Sequence, residues 1–93
     1  MTLEKLKSLR KDLHKHPELS GQEAKTATRI KQFIEGIHDA RIIEHIAGNG
    51  IAVVHEFSSS GPNIFIRCEL DALPIEEANT FEHRSLNKGI SHK

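Results

Sequence analysis

The hydrophobic period of this chain changes once, near Arg41, and that change limits what the chain can fold into. Before it, apolar residues recur at three- and four-residue steps, the spacing of one helix face. They are Leu3, Leu6, Leu9 and Leu13, then Ala27, Ile30, Phe33, Ile34 and Ile37. After it, short β-branched runs and a two-residue alternation take over, as in strands. The reading is an α/β chain: two N-terminal helices, then a β-hairpin and a further strand.

Local signals set the boundaries. Glu4 suits the first turn of the first helix, and Lys15 and His16 suit the last. Pro17 drives His16 out of the α region, so that helix stops there. Ser20 and Glu23 have the S-x-x-E spacing of a capping box, with Leu19 and Ala24 placed as its hydrophobic staple. Gly36 weakens the last turn of the second helix. Residues 41–46 and 51–57 flank Gly48-Asn49-Gly50, a turn signal, and form the expected hairpin. Ser58 to Asn63 is a polar loop. Ile64 to Leu70 is the expected third strand, with Ile64, Ile66, Cys68 and Leu70 on one face and Phe65, Arg67, Glu69 and Asp71 on the other. The segment from Glu76 to Lys93 is polar and has no clear period.

Composition narrows the function classes. Thirteen basic and 13 acidic residues cancel, so charge gives no case for a nucleic-acid or membrane-surface partner. No run approaches the ~18 apolar residues of a membrane span. The start, Met1 to Lys5, lacks the apolar stretch of a signal peptide. One cysteine, Cys68, excludes an internal disulfide and suits a reducing compartment, so a cytoplasmic location is expected. Ninety-three residues make one small domain at most, burying about 60–65% of its unfolded surface.

Asp71 is the strongest candidate site residue. In open α/β sheets ligands bind beyond the carboxyl ends of strands, and here an apolar strand ends in Glu69-Leu70-Asp71 before Pro74. Glu69 and Asp71 either bring carboxylates to such a crevice, or merely cap the strand end or pair with Arg67. His14 and His16, two apart, do not share a helix face, and His16 is placed to satisfy terminal carbonyls. His38, His45, His55 and His83 read as isolated surface or rim residues. Cys68 reads as a small buried hydrophobe.

Three blocks carry a resemblance. Arg10-Lys11-Asp12-Leu13-His14-Lys15-His16-Pro17-Glu18-Leu19-Ser20 resembles the opening signature of the N-acyl-amino-acid amidohydrolases, in the aminoacylase and carboxypeptidase-G metallopeptidase superfamily. Arg67 to Ile75 is similar to the strand end R-A-D-M-D-A-L-P-I of that group, and Ser85 to Lys93 to its S-x-N-P-G-x-M-H-A. The blocks follow one another in the expected order and cover nearly the whole chain.

The resemblance implies the first part of a metallopeptidase-type catalytic domain, three-layered (α/β/α) in the complete protein. Residues 1–93 are then an incomplete N-terminal part, without the metal-ligand region and without the second, lid or dimerisation domain. It implies hydrolysis of N-acyl amino acids or related small amides by two divalent ions, zinc, manganese or similar, in the complete enzyme. Asp71 matches the aspartate that supports the metal site by orienting a ligand histidine. No metal ligand is expected within the chain itself, which alone should be inactive. The competing expectation is a non-catalytic binding module on the same fold. Glu69 stands where the group has Asp, Cys68 replaces a small residue, and His92 receives no ligand role. In either case an unpaired sheet edge could lead to self-association.

Overall fold

The computed structural model describes residues 2–37 and 40–93; His38, one of the histidines read as isolated, lies outside them. Helix α1 spans Leu3–Lys15 and helix α2 spans Ala24–Ile34. Strands β1 (Ala40–Ile46) and β2 (Gly50–His55) follow and pair antiparallel.

Helix α1 starts on Thr2, whose Oγ1 accepts the Lys5 N–H at 3.2 Å and satisfies one terminal donor. It ends as its histidine and proline require. His16 donates its backbone N–H to the carbonyls of Asp12 and Leu13, and its ring Nδ1 donates to the Asp12 carbonyl at 3.0 Å. Pro17 behind it is buried.

Helix α2 departs from expectation at its start. Glu23, not Ser20, is the N-cap, and it makes no side-chain capping bond. The Glu23 carboxylate instead turns back to accept the Gly21 N–H at 3.1 Å. Glu18 supplies the cap from outside the helix: one carboxylate oxygen accepts the Thr26 N–H at 2.6 Å and the Thr26 hydroxyl at 2.7 Å. Thr26 is only 2% exposed, so the bond is shielded from water. An acidic group at a helix start is also favoured by the helix dipole.

The hairpin turns where the glycines allow it. Gly48 has φ of +104°, open to glycine and strained for other residues. A Cβ on Gly50 would lie 2.5 Å from the Ile46 carbonyl oxygen. His45 and Ala47 also have positive φ, and the ladder shifts register between Ile43 and Ile46, as at a bulge. Lys31 ties α2 to β1, reaching Glu44 at 2.9 Å.

Beyond the hairpin the structure corrects two expectations. Residues 64–70 form no strand, and Ile64, Phe65 and Ile66 are 85%, 86% and 89% exposed. Their two-residue period is that of a strand, but a strand exists only through ladder bonds to a neighbour, and among the described residues no neighbour lies beside them. Cys68 is exposed for the same reason and is not a buried hydrophobe.

The best-covered residues do not sit under the helix stripes. Leu3 and Leu6 are 64% and 42% exposed. Among the described residues Pro17, Thr26, Ala72 and Ser91 are the buried ones instead. They mark a crossing where the corner after α1, the segment after residue 70 and the C-terminal segment meet. The resulting shape is open, 47 × 31 × 22 Å with a radius of gyration of 15.0 Å, against about 12 Å for a compact domain of this length.

Candidate functional site

Asp71 lies at this crossing. Next to it, Ala72 donates its N–H to the Glu18 carbonyl at 2.7 Å, which lays 71–73 beside Glu18 and Leu19. On the other side, Leu73 and Ser91 exchange both backbone bonds at 3.0 Å as an antiparallel bridge. The Ser91 hydroxyl donates to the Ile75 carbonyl at 2.8 Å, and the residue is fully buried. His92 Nε2 lies 3.2 Å from the Leu70 carbonyl. Asp71 is therefore held between two backbone segments, half-buried, next to the stretch leading to Lys93. Among the described residues nothing hydrogen-bonds its carboxylate.

Glu69 takes the plainer of the two roles open to it. It pairs with Arg67 at 3.1 Å, both side chains being well exposed, so this pair adds little stability. Nor does Asp71 line the open groove between α1 and α2, which is walled by Leu9, Phe33, Asp12 and Arg29. There Asp12 and Arg29 form an ion pair that joins the helices.

A second cluster stands at the carboxyl end of α1. His14 Nε2 donates to Glu77 Oε2 at 2.7 Å, and the side chains are only 14% and 4% exposed. The other Glu77 oxygen accepts the Ser85 N–H, and Asn79 Nδ2 donates to the carboxylate at 3.3 Å. Burial by itself would push the Glu77 carboxyl up, but the bonds from Ser85, His14 and Asn79 outweigh it and hold the group down at about 2.

His83 is not isolated either. Its ring stacks on Phe81 with centroids 4.0 Å apart, and it lies 6.0 Å from the His14 ring. Burial, then Lys11, Arg10 and His14, lower its pKa. His92 stands 6.2 Å from His14. His45 and His55 are exposed, as expected.

Sequence reasoning missed His14–Glu77 because the partners are 63 positions apart. The available signal was a pair of adjacent acids, Glu76-Glu77, in an otherwise periodless stretch facing a histidine-rich helix end. Among the described residues no three His, Cys, Asp or Glu side chains are arranged to hold a metal ion. A two-metal centre thus does not fit the groups that the described residues supply on their own. Among the described residues no helix is long and apolar enough to cross a membrane.

No protein-family model matches the chain, but individual proteins do. It is 39% identical over 94 residues to an N-acetyl-L-cysteine deacetylase of Bacillus subtilis, covering 98% of this chain and 22% of that protein. It is 38% identical over 83 residues to an N-acyl-L-amino acid amidohydrolase of Geobacillus stearothermophilus, covering 89% of this chain and 22% of the relative. Among solved structures it matches a dinuclear metal-binding peptidase of the M20 family from Bacillus subtilis, with a TM-score of 0.86 and 34% identity. That match covers 96% of this chain and 25% of the other. The fold is thus that of a dinuclear metallopeptidase domain, over its first part. The chain corresponds in sequence and structure to the N-terminal segment of the amidohydrolases, hydrolases acting on amide bonds, and spans about a fifth of the relatives' length.

Proposed function

We propose that this chain is the N-terminal part of an enzyme that hydrolyses N-acyl amino acids or related small amides, and that it is inactive alone. One observation carries the reading: a fold match of TM-score 0.86 takes in 96% of this chain but only 25% of a dinuclear metal-binding peptidase. The metal ions belong to the complete enzyme, since the described residues provide no cluster to hold them. What this chain contributes is Asp71. Its half-buried carboxylate has no partner among the described residues and lies beside the segment leading to Lys93. Such a group can accept an imidazole N–H and so fix the tautomer of a ligand histidine. A reducing compartment such as the cytoplasm suits the free, exposed Cys68 thiol.

A second reading, a non-catalytic interaction module on the same fold, draws on the bare side chains of Ile64, Phe65 and Ile66. Grafting separates the two. Residues 1–93 would replace the matching first 22% of the Bacillus N-acetyl-L-cysteine deacetylase. The graft is expected to hydrolyse N-acetyl-L-cysteine, and Asp71→Asn to lower its activity or metal affinity by roughly 10–100-fold. The isolated chain should hold no stoichiometric zinc or manganese by elemental analysis and release no amino acid. A folded but inactive graft would favour the interaction module.

A further inference from the structure

The carboxyl end of α1 and the crossing around Asp71 are joined by one partly buried chain of polar contacts. Glu77 is its hub. Its carboxylate is divided between two elements, Oε2 taken by the His14 ring and Oε1 by the Ser85 backbone. From Ser85 the path continues inward: the Ser85 hydroxyl donates to the Ile90 carbonyl at 2.7 Å and lies 3.2 Å from the Asn87 N–H, which donates to it. Ile90 precedes Ser91, and Ser91 makes the two-bond bridge to Leu73 and the hydroxyl bond to Ile75. The same loop is tied to the helix end a second time, by Leu86 N–H to the Lys15 carbonyl at 2.9 Å and by Asn87 Nδ2 to the Pro17 carbonyl at 2.8 Å.

We propose that His14 and Glu77 are positioning residues: through Ser85 they hold Ser91 and His92 against Leu70 to Leu73, and so set where the chain at Lys93 passes Asp71. The inference rests on the reading of Asp71 given above, because only then does that placement matter for chemistry.

The geometry favours positioning over general support. A surface ion pair adds little, but this carboxylate is 4% exposed, and removing one partner of a buried pair leaves the other without its bond. The bonds are also directional. The imidazole meets one oxygen at 2.7 Å, which leaves the other free to fix the Ser85 amide, and with it the start of the 85–91 loop. The surrounding rings, Phe81 at 5.8 Å, His83 at 6.0 Å and His92 at 6.2 Å from His14, pack the imidazole on its remaining sides. Lys11 and Arg10 are the cations that act on the neighbouring His83.

The test uses the 93-residue chain itself, read residue by residue by NMR amide exchange. In His14→Phe and Glu77→Leu, the Ser85, Leu73 and Ser91 amides should exchange roughly tenfold faster or more, while the amides of β1 and β2 keep their protection. The His92 ring ¹⁵N signal should also move, reporting loss of its place at the Leu70 carbonyl. His14→Gln keeps a donor near the Nε2 position and should restore both readouts. Unchanged protection at Leu73 and Ser91 overturns the proposal. So does an even loss that includes the hairpin, or a His14→Gln variant that behaves like His14→Phe. None of these readouts depends on hydrolysis: an inactive graft with the exchange pattern intact would remove the enzymatic reading alone, and an active graft without that pattern would remove only this one.

Discussion

Two glutamates do work in this chain that their sequence positions hide. Glu18 caps a helix to which it does not belong, and Glu77, 63 positions from His14, joins the end of α1 to the loop starting at Ser85. Each satisfies a backbone donor that would otherwise be left unpaired: one Glu18 oxygen takes the Thr26 N–H together with its hydroxyl, and one Glu77 oxygen takes the Ser85 N–H while the other meets His14. His16 was legible, because a histidine before a proline at a helix end has nearby carbonyls to meet. Asp71 was legible as a candidate, since it ends an apolar run. His14–Glu77 was not, because nothing local marks a contact of such sequence separation. The depressed Glu77 carboxyl gives a prediction with a definite sign. Its folded value is about 2 against an ordinary 4.5, so its stabilising effect is fully present above about pH 4.5 and is lost as pH falls towards 2. Thermal melts followed by circular dichroism should show the wild-type chain losing stability over that window. Glu77→Gln, already less stable at pH 7, should show a shallower fall.

At the scale of elements, the helices and the hairpin were readable because their signals are local: stripe period, Glu4 in the first turn and Pro17 after the last turn of α1, and glycine at the turn. The α2 start was misplaced by a rule correct in form. Ser20 and Glu23 have capping-box spacing, but Glu18 took the Thr26 donor first and Glu23 turned to Gly21. The segment 64–70 failed for a different reason. Alternation specifies which side chains share a face, while strand formation requires a neighbour, and no sequence pattern supplies one. The hairpin offers a direct check. Because a Cβ at Gly50 would press on the Ile46 carbonyl, Gly50→Ala should cost about 1–3 kcal/mol, seen as a lower urea midpoint and as loss of cross-strand contacts between Ile42 and Val53.

For the whole molecule, the sequence signalled α/β order but not where cover is densest. Stripe reasoning places a core beneath the helices, yet buried positions gather at the crossing of Pro17, Ala72 and Ser91, whose segments come together only through non-local contacts. Meanwhile Phe57, Ile64, Phe65 and Ile66 remain 79–89% exposed. Apolar surface of that kind, on an unpaired extended segment, promotes association. Sedimentation of the 93-residue chain is expected to show mass rising with concentration, and Ile64→Lys with Ile66→Lys to return it to monomer. A compact monomer at high concentration would count against this.

The crossing also has a history in time. Pro17 and Glu18 are made early, but the Ser91 segment that closes over Ala72 follows Pro17 by 74 positions. At 5–20 residues per second this is a wait of roughly 4–15 s on the ribosome. During that interval α1 and the Glu18–Thr26 cap can form from neighbouring residues alone, while the seat for Asp71 stays open until Ser91 emerges.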